Sequence, residues 1–153
     1  MNNLYNADYY VWTQRQVKLL RTQHFAQLDV EYLVAEILGL ARYQRKELKR
    51  HIRKLLHYFL KSQLYPERVS GRWLGKLCGH RDWIEKLIVE MPSMAPLLDG
   101  YIADAYADIA DRLTSKANLP RSSFPETLAC TREQLLTQDF MPWTSKNEKA
   151  ADS

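Results

Sequence analysis

The sequence contains few of the residues that interrupt helices. Only 5 glycines and 6 prolines occur among 153 residues, and most lie where a helical pattern ends. An alternating apolar and polar pattern longer than a few residues is also lacking, which argues against β-strands. No internal repeat is found, which argues against a solenoid. These absences predict an all-α fold, and the length is that of one domain.

Long apolar runs are missing as well. No stretch of about 18 consecutive apolar residues occurs, so we expect neither a membrane-spanning helix nor a membrane partner. The polar residues 1–8 lack the basic-then-apolar layout of a signal peptide. We therefore expect a cytoplasmic protein.

The residue patterns that usually carry chemistry are scarce. The two cysteines, Cys78 and Cys130, belong to no CxxC pair and have no histidine at zinc-ligand spacing. The sequence has no glycine-rich phosphate loop, no GxSxG elbow and no HExxH motif. We therefore expect no cofactor and no metal ion, and these absences lean against an enzyme.

The chain contains more basic than acidic residues, and the charges are unevenly distributed along it. The formal net charge is +4 and the isoelectric point is about 9.1. Residues 42–86 contain thirteen Lys and Arg against four Asp and Glu, whereas residues 87–139 contain four against eight. The chain is thus basic in its middle and acidic afterwards.

Helical periodicity marks four main stretches and a short last one. Each begins behind an N-cap candidate, namely Asp8, Asp29, Ser70, Ser93 or Thr131. The second stretch is the longest, because apolar residues continue at helical spacing for roughly 35 residues. Its seam is interrupted once, by a glutamine, and consists of Leu33, Ile37, Leu40, Gln44, Leu48, Ile52, Leu55 and Phe59.

These patterns predict an all-α, single-domain bundle of about four main helices plus a short C-terminal helix. We expect residues 1–8 to be an N-terminal tail and residues 9–142 to be the helical domain. Residues 143–153 are polar, and we expect a disordered C-terminal tail there.

Several short segments resemble a known family. They are Tyr9-Tyr10-Val11-Trp12, Gln27-Leu28-Asp29, Tyr65-Pro66-Glu67-Arg68, Arg72-Trp73, Arg81 and Phe124-Pro125-Glu126-Thr127. Together they are similar to domain-of-unknown-function family twenty-nine, whose members are small helical proteins abundant in cyanobacteria. The resemblance covers about residues 8–142 and implies an all-helical fold and a cyanobacterial origin. It implies no activity. Ser62 departs from the tryptophan expected there, which puts one packing contact in doubt.

One face of the long helix is strongly basic. Like charges at spacings of three and four repel, and nucleic-acid phosphates would offset that repulsion. Tyr43, His51, His57 and Tyr58 are interleaved and are candidates for stacking on bases. The candidate nucleic-acid-binding residues are Arg42, Arg45, Lys46, Lys49, Arg50, Arg53, Lys54 and Lys61.

An internal partner is the alternative explanation of this basic face, and we favour it. Asp104, Asp108 and Asp111 lie at i, i+4 and i+7 and form one acidic face of the fourth helix. If the two faces meet, the charges neutralise each other and no ligand is needed. The three aspartates lack a histidine at i+3 and a second cluster, which argues against a metal site.

The same helix offers one weak catalytic pair. Arg50 and His57 are two helical turns apart and so share a face. Their spacing is similar to that in a class of helical ribonucleases, in which an arginine holds a phosphate while a histidine moves a proton.

Three hypotheses of function follow. The first is a non-enzymatic protein-interaction module that binds another protein or a copy of itself, because chemistry-bearing motifs are missing and polarised charge suits docking. The second is a nucleic-acid-binding protein that uses the basic face at 42–61. The third is an RNA-cleaving helical enzyme that uses Arg50 and His57.

Overall fold

The computed structural model describes residues 3–142 and shows six α-helices there. They are α1 (Leu4–Ala7), α2 (Tyr9–Arg21), α3 (Val30–Leu64), α4 (Gly71–Glu90), α5 (Leu98–Lys116) and α6 (Arg132–Leu136). Short 3-10 turns lie at Phe25–Gln27, Pro66–Arg68, Pro92–Leu97 and Arg121–Ser123. This part of the chain contains no strand. The predicted all-α class, with four main helices and a short C-terminal helix, is confirmed.

Side-chain caps begin three of the helices at the predicted residues. The carboxylate of Asp8 accepts a hydrogen bond from the Val11 amide at 3.0 Å. The hydroxyl of Ser70 accepts one from the Trp73 amide at 3.2 Å. Thr131 forms a complete capping box at the start of α6. Each cap satisfies an amide that has no partner within its helix, so local sequence fixes these starts.

The predicted cap at Ser93 is wrong. Residues Pro92–Leu97 form a 3-10 turn, and α5 begins only at Leu98, behind Leu97, which makes no side-chain cap. The reason is Pro96, because a proline disfavours the α-helical conformation of the residue before it. The α-helix therefore begins after the second proline of this segment.

Two segments were predicted as tails, residues 1–8 and residues 143–153. Within residues 1–8, Leu4–Ala7 form one helical turn that is capped by the side chain of Asn3. The predicted disordered tail at 143–153 lies outside the described residues. No helix within residues 3–142 combines the length and the apolar character needed to cross a membrane.

The chain divides into two compact units, residues 1–45 and residues 46–153. The second unit has a well-formed apolar core, to which residues 46–64 of α3 and helices α4, α5 and α6 contribute. Its largest fully buried apolar side chains are Leu48, Ile52, Leu55, Leu56, Phe59, Leu60, Leu77, Ile84 and Leu135.

The first unit is organised differently, because polar and aromatic contacts dominate it. Only Trp12 and Gln16 are buried among its described residues. The indole N–H of Trp12 donates to the carboxylate of Asp29 at 2.8 Å, and the Asp29 amide donates to the Gln16 side chain at 2.9 Å. These bonds attach α2 to the beginning of α3 without a large apolar core.

Candidate functional site

The beginning of α3 carries an exposed apolar stripe, which we call the α3 stripe. It consists of Val30, Val34, Ile37, Leu38, Leu40 and Ala41, all of them exposed. The side chains of Ile37 and Leu40 keep 65% and 68% of their surface exposed. The spacing of three and four residues places the stripe along one broad side of the helix.

Helices α1 and α2 leave this stripe uncovered because they contact other positions of α3. The hydroxyls of Tyr5 and Tyr9 donate to the Glu36 carboxylate at 2.5 and 2.7 Å. The ring of Tyr5 also stacks on Tyr32 with centroids 4.1 Å apart. Positions 29, 32 and 36 share one face of α3, and the α3 stripe occupies a different one.

The apolar seam that the sequence shows along α3 is not buried over its whole length, because Ile37 and Leu40 are exposed. In the second unit the same spacing is buried, and Leu48, Ile52 and Leu55 are each 0% exposed. In the first unit the seam residues Ile37 and Leu40 face solvent. Burial depends on which elements cover a helix, and helical periodicity alone does not contain that information.

Charged side chains border the α3 stripe, among them Glu31, Arg42 and Arg45. Glu31 and Arg45 are exposed, and neither forms an ion pair with any residue from 3 to 142. Glu36 differs, because hydrogen bonds from Tyr5 and Tyr9 hold the pKa of its carboxyl below the ordinary value. Glu31 and Arg45 therefore remain available to an incoming partner.

Half of the predicted basic face has internal partners. The guanidinium of Arg50 donates two hydrogen bonds to Glu47, at 3.2 and 2.7 Å, and Arg53 pairs with Asp108. The ammonium groups of two lysines lie over aromatic rings: Lys49 is 4.7 Å from the centroid of Tyr101, and Lys61 is 4.8 Å from that of Trp73. Intramolecular contacts thus engage four of the eight predicted residues.

The other half is exposed. Lys46 and Lys54 in the second unit make no ion pair with the described residues, and the same holds for Arg42 and Arg45 in the first unit. The structure therefore leaves a reduced set of basic side chains for an external ligand.

The acidic face of α5 meets the basic helix at a single one of its three aspartates. The carboxylate of Asp108 pairs with Arg53 and also with Arg112 at 3.1 Å, and the bond from Arg53 is the main cause of the lowered pKa of Asp108. Asp111 pairs with Arg121 at 2.6 Å instead. Asp104 is exposed and makes no ion pair within residues 3–142. Internal neutralisation thus explains part of the basic face.

The surroundings of His51 differ from those expected for a residue that stacks on bases. The ring of His51 stacks on Trp83 at 3.8 Å and is mostly buried, so it is already occupied by an internal aromatic partner. His51 also contacts His80, with 3.0 Å between their Nδ1 atoms. Sequence analysis missed this pair, since the two residues are 29 positions apart and neither lies in a motif.

The two members of the predicted catalytic pair have separate surroundings. Arg50 contacts Glu47 and His51 on its own helix. The ring of His57 packs edge-on against Tyr58 at 5.5 Å. Burial is the main cause of the lowered pKa of His57, followed by Lys61 and Lys116. These surroundings favour the neutral form of the His57 ring over the charged one.

No group of three His, Cys, Asp or Glu side chains within residues 3–142 gathers closely enough to hold a metal ion. The described residues present two exposed surfaces, an apolar one on α3 in the first unit and a basic one at Lys46 and Lys54 in the second. The apolar surface is the more unusual of the two, because large contiguous apolar patches are rare on protein surfaces.

Comparison with protein families identifies the chain. The model of a family described as "Domain of unknown function DUF29" matches residues 4–141. The chain belongs to the DUF29 family. This confirms the resemblance seen in the short sequence segments, and the family assigns no activity to the DUF29 chain. Searches of the curated proteins and of the solved structures gave no match to it.

Proposed function

We propose that this DUF29 chain is a non-enzymatic protein-interaction module that binds a protein partner through the α3 stripe. One observation carries the proposal. Val30, Val34, Ile37, Leu38 and Leu40 are each at least half exposed on one well-formed helix. Complete burial of one such side chain contributes about 1.5–3 kcal/mol, so a partner that covers several of them gains substantial binding energy.

The form of the surface favours a helical partner. Val30, Val34, Ile37 and Ala41 follow the i, i+4, i+7, i+11 spacing with which an amphipathic helix inserts into a groove or against a second helix. The helix is already ordered, so binding does not have to order its backbone, which keeps the entropic cost of association low.

Two matched valine substitutions test the proposal. Val34→Asp places a charge within the α3 stripe, whereas Val89→Asp places one on α4, where the valine is even more exposed. Proteins captured by the wild-type chain from its source cells are identified and purified, and their affinity for each variant is then measured by calorimetry. We expect Val34→Asp to weaken binding of the purified partner by tenfold or more and Val89→Asp to leave it unchanged.

The proposal is wrong if no purified partner distinguishes Val34→Asp from wild type. Circular dichroism of each variant must show unchanged helix content, because a partly unfolded variant loses binding for a different reason.

A second candidate function is nucleic-acid binding by the second unit. Lys46 and Lys54 favour it, because both are exposed without an ion pair to the described residues and lie on one face of α3, two turns apart. Phosphate contacts of this kind weaken steeply with salt. Fluorescence anisotropy of labelled RNA and DNA across a salt series measures this, with the double variant Lys46→Glu, Lys54→Glu as the comparison.

Salt-dependent binding that this double variant abolishes would support the second function, and absence of binding at low salt would contradict it. The same RNA substrate tests the third hypothesis. If Arg50→Ala and His57→Ala each abolish cleavage while binding persists, both residues are catalytic, and if the wild-type chain cleaves no RNA, this hypothesis is wrong.

A further inference from the structure

We propose that the partner of the α3 stripe is a second copy of this chain, and that the two α3 helices pair antiparallel about a two-fold axis near Leu38. This inference rests on the proposed function and specifies its partner. It is carried by the distribution of charge along the edge of the α3 stripe.

Glu31 and Arg45 form one row with Leu38, which lies at the edge of the α3 stripe. They are spaced by seven residues, which is close to two helical turns, so they follow one another along the same side of α3. At a rise of about 1.5 Å per residue, Glu31 and Arg45 lie about 10 Å on either side of Leu38. The acid and the base are thus equidistant from the middle of the stripe.

In an antiparallel pair of α3 helices, these residues form two ion pairs. When two copies of α3 run in opposite directions about an axis near Leu38, Glu31 of each copy faces Arg45 of the other. A two-fold axis repeats every contact, so the surface is complementary to itself. A parallel pair in register instead places equal charges at the same level of the two helices, and that arrangement gains no such attraction.

The apolar residues have the same centre as the charges. Ile37 and Leu38 occupy the middle of the stripe, and Val34 and Ala41 lie about one turn to either side. Antiparallel pairing therefore brings the centre of the α3 stripe against its own copy. The two ion pairs border this apolar contact at both ends.

Glu31 and Arg45 are available for these contacts in the single chain. Both are exposed and form no ion pair with residues 3–142. The nearby acid Glu36 is not available in the same way, because the hydroxyls of Tyr5 and Tyr9 already bind its carboxylate. The choice of Glu31 as the acidic partner follows from this difference.

Analytical ultracentrifugation of the full chain between about 1 and 200 μM tests self-association directly, since apparent mass rises with protomer concentration when copies bind. We expect a dimer that Val34→Asp weakens tenfold or more and that the exposed control Val89→Asp leaves unchanged. A monomer at every concentration, or equal loss in both variants, would overturn the inference.

Charge reversal tests the orientation. Glu31→Arg and Arg45→Glu each place two equal charges opposite one another in the antiparallel pair, so we expect each to weaken the dimer severalfold. The double variant exchanges the two signs and restores opposite charges, so its affinity should return close to that of wild type. If the affinity losses of the two single variants instead add up in the double variant, antiparallel pairing is wrong.

The two proposals fail in different ways. If the wild-type chain is monomeric but binds another purified protein with sensitivity to Val34→Asp, this inference is wrong and the proposed function stands. If neither self-association nor another protein depends on Val34, both are wrong. Circular dichroism of each variant must show unchanged helix content, so that misfolding is excluded as the cause of lost binding.

Discussion

The imidazole rings of His51 and His80 meet through their Nδ1 atoms, which lie 3.0 Å apart. The guanidinium of Arg50 lies 3.1 Å from the other ring nitrogen of His51, and a guanidinium is only a donor. Nε2 of His51 therefore accepts, so its Nδ1 carries the proton and donates to Nδ1 of His80. The proton of neutral His80 then resides on its Nε2, and a further proton on His80 breaks the pair.

This pair predicts that the protein loses stability in mild acid. Burial, His51 and the nearby cations Lys54 and Arg50 lower the pKa of His80 from 6.5 to about 4. The unfolded chain therefore binds a proton at His80 at a higher pH than the folded state does. The free energy of unfolding should be greatest above about pH 6.5 and should fall as pH decreases from there towards about 4. Because the site is partly solvated, we expect a loss of about 1–2 kcal/mol.

Urea denaturation at several pH values between 4 and 7 measures this loss, and His80→Gln is the informative variant. Glutamine offers a carbonyl oxygen to the N–H of His51 and does not titrate, so its stability should depend less on pH across this range. The exposed His24 supplies a matched control through His24→Gln. An unchanged pH dependence in His80→Gln would show that other groups cause the acid sensitivity.

A buried arginine provides the second prediction. Arg81 is 0% exposed, and its guanidinium donates to the carbonyl oxygens of Leu135, Gln138 and Phe140 at 2.7, 3.2 and 2.7 Å. Burial lowers the pKa of Arg81. Carbonyls at and after the end of a helix have no partner within it, and Arg81 satisfies them for α6 and the segment that follows.

Removal of this guanidinium should release that segment. In Arg81→Met, three carbonyls lose their donor, and we expect a loss of about 3 kcal/mol in the free energy of unfolding. Arg81→Lys should be intermediate, because an ammonium lacks the planar fork. Urea denaturation measures both, with Arg72→Met on the exposed side of α4 as the control. A loss in Arg81→Met no larger than in that control would contradict the structural role.

The sequence predicted local features well and distant ones poorly. The capping box at Thr131 involves residues three positions apart, so the sequence contains all of it. The contacts of Arg81 join residues that are 54, 57 and 59 positions apart in the sequence, and the pair His51–His80 joins residues 29 positions apart. No periodicity encodes them. The exposure of Ile37 cannot be predicted from the sequence for the same reason, since it depends on which elements cover α3.

Ser62 gives the third prediction. The resemblance to the family led us to expect a tryptophan there, with a packing contact in doubt. In the structure Ser62 is 1% exposed, and its hydroxyl donates to the Tyr58 carbonyl of the same helix at 2.6 Å. The position is already filled by its neighbours, and additional side-chain volume in a packed core costs about 1–3 kcal/mol.

Ser62→Trp should therefore destabilise the protein by at least that amount. Ser62→Ala should change stability by less than about 0.5 kcal/mol, because the lost bond lies within the helix and its carbonyl acceptor keeps a helical partner. Thermal unfolding followed by circular dichroism separates the two variants. A stabilised Ser62→Trp would mean that the missing packing contact outweighs the crowding.

The last prediction concerns the first unit, where Trp12 is the only large apolar side chain among residues 3–45 that is fully buried. Its ring lies edge-on to that of Tyr5 at 4.9 Å, and its indole N–H donates to Asp29 at 2.8 Å. Trp12→Ala removes both contacts and should cost about 3–5 kcal/mol of local stability. Trp12→Phe keeps a smaller aromatic ring but loses the donor, and the loss of this hydrogen bond should cost about 1 kcal/mol.

Because the apolar core of the second unit does not contain Trp12, the loss should be confined to the first unit. Hydrogen exchange resolves this: amides of α2 should exchange tenfold or more faster in Trp12→Ala, whereas amides of α5 should keep their wild-type rates. Gln16→Ala serves as a comparison, since it removes the other buried contact to Asp29 at 2.9 Å and leaves the ring in place. Equal acceleration in α2 and α5 would instead mean that the two units unfold together, and that Trp12 stabilises the whole chain.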